Sequence, residues 1–213
     1  MTGARLRSLA RRVAITGCAM GMACAALGTV QASASVLGAK PTINTYKSWD
    51  GSEDVIPFGC PDTTTYGQVI TVPGGYTKLN KFTFSWINLG TGSMKVRGEV
   101  YAWDGAKATG SAIYQSAARF VSFSDGLYHF ETFKPGGVPV TAGHQYVIFA
   151  SIDKDYEKCK NDYELRWALT TSGDAYAGGL FVYQNNAGDE TQWTSSTWST
   201  FVGQDLAFKA YLS

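Results

Sequence analysis

"LNKFTFSWINL", residues 79–89, sets Phe82, Phe84 and Trp86 at every second position, with Thr83, Ser85 and Ile87 between them. Successive side chains of a strand point to opposite faces, so this spacing gathers three large rings on one face of a sheet. A helix would scatter the same three positions around its circumference. "MKVRGEVYAWDG" (94–105) repeats the pattern. Val96, Gly98, Val100 and Ala102 alternate with Arg97, Glu99, Tyr101 and Trp103, and the run ends on Asp-Gly, a hairpin dipeptide. Further strands are predicted in "GQVITVP" (67–73), "SAIYQSA" (111–117), "RFVSFS" (119–124), "LYHFETF" (127–133) and "HQYVIFASI" (144–152). "YELRWALT" (163–170), "LFVYQ" (180–184) and "DLAFKAYL" (205–212) complete the set, with Phe181 and Tyr183 expected on one face of the second and Leu180 and Val182 on the other.

About nine or ten strands with no helical periodicity between them argue against parallel βαβ units. The expectation is an all-β, two-sheet antiparallel β-sandwich, jelly-roll-like rather than immunoglobulin-like, because the Cys-Trp-Cys spacing of an immunoglobulin domain is absent. Residues 35–64 are rich in Gly, Ser and Asp with little alternation, and are expected to form an irregular lead-in to a single domain over 35–213.

Residues 1–34 read as a cleaved leader. Arg5, Arg7, Arg11 and Arg12 precede an apolar, small-residue run, and Ala32-Ser33-Ala34 offers a signal-peptidase site, so cleavage is expected after Ala34. The competing reading is a membrane anchor, since about 18 apolar residues just span a bilayer. Arg11-Arg12 resembles a twin-arginine signal, but Val13-Ala14-Ile15-Thr16 fits that route poorly. The expected mature product is secreted, with no membrane span.

Four of the 18 basic residues and none of the 17 acidic ones fall in that leader, leaving a formal charge of −3. Nucleic-acid binding needs a basic footprint, and none is visible. Cys18 and Cys24 leave with the leader, while Cys60 and Cys159 remain. In an exported chain this pair is expected to form a disulfide, worth about 4–5 kcal/mol for a loop of about 100 residues by chain entropy. The alternative is two separate buried thiols.

"TYGQVITVP", "VYAWDG", "PVTAGHQYVIFAS", "GGLFVYQNN" and "DLAFKAYLS" together resemble the layout of secreted bacterial β-sandwich proteins, many of them uncharacterised, some carrying a C-terminal Pro-Glu-Pro sorting tail. The resemblance spans most of residues 60–213 and implies the fold, without an established activity. The sequence departs from it in ending at Ala210-Tyr211-Leu212-Ser213 with no such tail, which implies free secretion rather than anchoring.

Four chemistries come into question for these residues. Nucleophilic catalysis needs a usable histidine. His144 sits in a turn, His129 and Glu131 share a strand face as solvated groups or as an acid/base pair, and no Gly-x-Ser-x-Gly elbow occurs. Glycoside hydrolysis needs only two carboxylates about 5–9 Å apart, which any sandwich with many acids supplies, so a glycoside-active enzyme is a minor reading. No cofactor is expected; structural calcium is the one candidate, through "DKDYE" (153–157) or "NNAGDE" (185–190), neither spaced as an EF-hand loop.

Sugar binding is the fourth. Trp49, Trp103, Trp193 and Trp198 lie beside polar turns, where an aromatic plate can stack on the C–H face of a sugar or cap one end of the sandwich. "GGLFVYQNNAGDETQW" (178–193) adds Asn185, Asp189 and Glu190 as hydrogen-bonding groups. The expected ligand-binding set is therefore Trp103, Asn185, Asp189, Glu190, Trp193 and Trp198, for a non-catalytic module that recognises a glycan or another surface ligand. The competing reading is a structural or adhesive protein with no small-molecule site.

Overall fold

The computed structural model describes residues 40–59, 63–123, 125–156, 165–170 and 173–213. The leader, Cys60 and Cys159 lie outside them. Fourteen strands are found among the described residues. In chain order they are β1 (Ile43–Asn44), β2 (Asp54–Phe58), β3 (Thr65–Thr71), β4 (Lys78–Asn88), β5 (Met94–Trp103), β6 (Ala108–Gln115) and β7 (Arg119–Val121). Then follow β8 (His129–Phe133), β9 (Val138–Pro139), β10 (Gln145–Ser151), β11 (Leu165–Ala168), β12 (Phe181–Gln184), β13 (Ser199–Thr200) and β14 (Phe208–Leu212). One short helix, α1 (Gln192–Ser195), lies between β12 and β13.

All pairings are antiparallel, and the strands form two sheets. Sheet A runs β1-β14-β4-β11-β2, with β8 and β9 also on β4. Sheet B runs β13-β12-β3-β10-β5-β6, with β7 also on β5. The chain crosses repeatedly from one sheet to the other, which gives the all-β sandwich its jelly-roll-like character.

The strand count exceeds the nine or ten expected. Three of the additions, β1, β9 and β13, are pairings of two residues, too short to show a period. The fourth, β2, lies inside the supposedly irregular lead-in. Its pairing explains why alternation missed it: Leu165 faces Phe58 and Trp167 faces Val55, with a register shift between them. Two residues on β2 thus oppose one on β11, a bulge, so Val55 and Phe58 both reach the core although they are three positions apart.

The main core lies between the sheets. Phe82, Phe84 and Trp86 of β4 meet Tyr66, Val96, Val100, Ile148, Trp167 and Phe181, all buried. The faces predicted for β5 and β12 hold: Val96, Val100, Phe181 and Tyr183 turn to this core, while Tyr101, Trp103 and Val182 turn away. Gly98 is required by packing, because a Cβ there would stand 2.3 Å from ring atoms of Phe133. A polar contact links β3 of sheet B to the segment leading into β14: Gln68 donates to Asp205 Oδ1 at 2.6 Å and accepts the Leu206 N–H at 2.9 Å.

Candidate functional site

The stretch 178–198 folds over the outer face of sheet B. Gly179 begins it, and its need for glycine is steric: a Cβ there would lie 1.7 Å from the Val69 carbonyl oxygen, where the chain is pulled in by the Val69 N–H bond to Leu180. β12 then runs along β3, and the turn after it lifts the chain across the sheet. Trp193 and Trp198 fall onto Phe149, at ring separations of 4.9 and 5.3 Å, with Tyr101 and Trp103 alongside. Each indole N–H is satisfied, Trp193 by Thr65 Oγ1 and Trp198 by the Trp193 carbonyl. Gln184 holds the far side by donating to the Gln192 and Ser196 carbonyls. The result is a second apolar cluster outside the sandwich proper.

The two acidic loops that look separate in sequence meet at its edge. Asn186 is buried, donates to Asp153 and accepts from Thr64. Thr65 donates to Asp153 Oδ2 at 3.1 Å, and burial holds the Asp153 carboxyl above its usual range. Lys154 lies 3.2 Å from Glu190 Oε2 and 4.0 Å from Glu99 Oε1, with its ammonium 5.6 Å from the Trp193 ring. Glu99 is fully buried on β5. Burial pushes its carboxyl up to about 7, against the opposing pull of the Gln115 hydrogen bond at 2.7 Å and of Lys154. Arg97, next outward on the same strand, makes a two-pronged pair with Asp155 at 2.7 and 3.3 Å.

Of the six residues expected to form a ligand site, Asn185, Asp189 and Glu190 stand exposed at the edge of this cluster, and the three tryptophans lie buried within it. Trp103, Trp193 and Trp198 do share one site, but at 9%, 2% and 4% relative exposure they have no open ring face for a ligand. Their role as sugar plates is corrected: they are the packing that closes this face. Asp189 is exposed yet committed to its own turn. It accepts from the Thr191 hydroxyl and N–H and from Gln192, bonds that hold its carboxyl low, the Thr191 hydroxyl contributing most. Asn185 accepts from Thr63, and Glu190 is spoken for by Lys154. Among the described residues no cluster of three or more His, Cys, Asp or Glu side chains is arranged to hold a metal, and the Lys154 ammonium reaches both Glu190 and Glu99.

His129 and Glu131 face the same way but serve separate pairs, His129 with Asp125 at 2.9 Å and Glu131 with Arg119 at 3.5 Å. His129 also stacks on Phe123 at 3.9 Å. No acid/base couple forms between them.

The opposite surface, the outer face of sheet A, carries a different set of aromatics. Phe130 stands opposite Ser85 and Lys209 opposite Thr83, positions that alternate with the core residues Phe82, Phe84 and Trp86, so both point outward. Tyr46, from the 3-10 turn Tyr46–Ser48, meets Phe130 at 4.7 Å and Trp49 at 5.3 Å. Trp49 meets Tyr128 at 4.5 Å. The four rings form a continuous strip, of which Phe130 is 49% exposed and the others half-buried. The strip is held from beneath: Trp49 donates to the Glu53 carbonyl at 2.7 Å, and Tyr128 donates to Asp54 at 3.0 Å. Of these residues only Trp49 stood out in the sequence. One available signal was the pair Phe130 and Phe133, which three positions apart on a strand must face opposite ways, so one of them is not core.

No known protein family matches the chain, and no curated protein is significantly similar to it. Among solved structures it is similar to the cysteine protease and lectin-like domains of Cwp84, a surface layer associated protein of Clostridium difficile. The identity is 10% and the TM-score 0.44, over 70% of this chain and 32% of that one, so the match spans about a third of that chain. Among the described residues no helix is long and apolar enough to cross a membrane.

Proposed function

We propose that this chain is a secreted, non-catalytic carbohydrate-binding module that holds its ligand on the aromatic strip Tyr46–Trp49–Tyr128–Phe130 of sheet A. The observation that carries this reading is four adjoining rings left partly open on a sheet face. A sugar's C–H face is apolar and slightly positive, and it suits the negative face of such rings, while hydroxyls project to polar groups at the rim. Asp54 and Arg166 stand at the Tyr128 end and Lys209 at the Phe130 end. The strip rests on a two-sheet scaffold through indole and phenol hydrogen bonds, so little side-chain freedom is lost on binding.

Retention on insoluble polysaccharides tests this. Trp49→Ala combined with Phe130→Ala is expected to abolish retention while leaving the thermal unfolding midpoint within a few degrees of the parent. Retention unchanged in that variant would remove the strip as the site.

A further inference from the structure

Two cations on the outer face of sheet A are seated on rings instead of on carboxylates. Lys209 Nζ lies 4.3 Å from the Phe130 centroid and 4.7 Å from that of Tyr46. Lys81 Nζ lies 3.9 Å from the Tyr211 centroid. Register sets Lys81 opposite Tyr211 and Thr83 opposite Lys209, so both lysines project from the same face and from neighbouring positions. Among the described residues neither lysine is within ion-pair reach of a carboxylate, whereas Arg97, Arg119, Lys154 and Arg166 each are.

That difference is chemical. Burial alone pulls the Lys209 ammonium below its usual range, and no nearby anion restores it. A ring face compensates a desolvated ammonium only in part, so an incoming anion gains more here than beside a lysine that already has its carboxylate. The cation also lies directly over Phe130, the most open ring of the strip. A ligand must therefore carry its negative charge close to the ring that stacks. A carboxylate on the sugar ring carbon meets that requirement better than a sulfate ester, which stands off by an extra oxygen.

Resting on the proposed glycan-binding role of the strip, we infer that its ligands are polysaccharides containing uronic acid units. Lys209 is the contact that selects the carboxylate, and Lys81 offers a second contact along the same face.

Affinity electrophoresis or calorimetry with the purified chain decides the matter, using polygalacturonate, its fully methyl-esterified form and dextran sulfate, in moderate salt. Polygalacturonate is expected to bind at least about fivefold more tightly than the ester, the scale of one partly exposed ion pair. Lys209→Gln is expected to bring the ratio of acid to ester affinity close to one, whatever its effect on affinity for the ester itself, and Lys209→Arg to retain the ratio. Equal affinity of the parent for acid and ester overturns the inference and leaves the aromatic reading intact. Dextran sulfate binding as tightly as polygalacturonate also overturns it, because charge alone would then suffice. Should Lys209→Gln fail to fold, the parent's acid-to-ester ratio still decides. Retention of no member of a panel of neutral and acidic polysaccharides would overturn both the inference and the proposed function.

Discussion

The two outer faces of this sandwich begin with similar material and end differently. Each carries a row of aromatic side chains pointing away from the main core: Tyr101, Trp103 and Phe149 on sheet B, Phe130 and Tyr211 on sheet A. On sheet B the chain supplies its own cover. The segment after β12 lays Trp193 and Trp198 across those rings and pins them with satisfied indole N–H bonds. On sheet A, among the described residues, the 3-10 turn with Tyr46 and the following Trp49 give partial cover, and Phe130 stays half open. Aromatic residues in polar turns are thus ambiguous in themselves. Whether they become core or contact surface depends on whether another segment is long enough, and correctly routed, to roof them.

The contrast can be broken most forcefully at Trp193. If it is core, Trp193→Ala should lower the unfolding free energy by about 3–5 kcal/mol, the usual cost of deleting a large buried aromatic. Chemical denaturation measures it. A loss under about 1 kcal/mol, the range of surface changes, would mean that the sheet B face is open after all.

The next effect sharpens the closed side. Glu99 keeps its proton up to about 7 in the folded chain, against its ordinary 4.5. Between those values the folded state binds a proton that the unfolded chain has released. The contribution of Glu99 to stability is therefore fully present below about pH 4.5 and lost as pH rises through about 7, about 3 kcal/mol in all. Asp205, raised to about 6 by burial, acts in the same direction, so the reading lies in the difference between variants. Stability curves of the parent and Glu99→Gln over this range should diverge, the parent losing more. Parallel curves would place Glu99 in contact with water.

The smallest effect belongs to the open side. Phe130→Ala should change the unfolding free energy by less than about 1 kcal/mol, as expected for a half-exposed ring. A cost as large as that at Trp193 would make sheet A's face a second closed surface and deprive the proposed site of its platform.

Much of this was legible one strand at a time. The rings of β4 and the two faces of β5 and β12 followed from period two, because alternation is a local property that tertiary packing only confirms. β2 was not legible, since its bulge puts two residues opposite one and destroys the period. The grouping of Trp103, Trp193 and Trp198 was legible as a set, but their burial was not. Likewise "DKDYE" and "NNAGDE" gave no sign in sequence that Asn186 would reach Asp153 and Lys154 would reach Glu190.

By itself the sequence determined the fold class, the positions of the long strands and the side of each on which the large rings fall, since these depend on neighbours along the chain. Tertiary structure alone decided which outer face is roofed and which is open, because that rests on contacts between segments far apart in the chain, 128 residues for Thr65 and Trp193, whose pairing no local pattern encodes. Trp193, in a loop full of polar residues, became core because Thr65 and Phe149 lay beneath it. Phe130, in an ordinary strand, became surface because nothing in the described chain was routed fully over it.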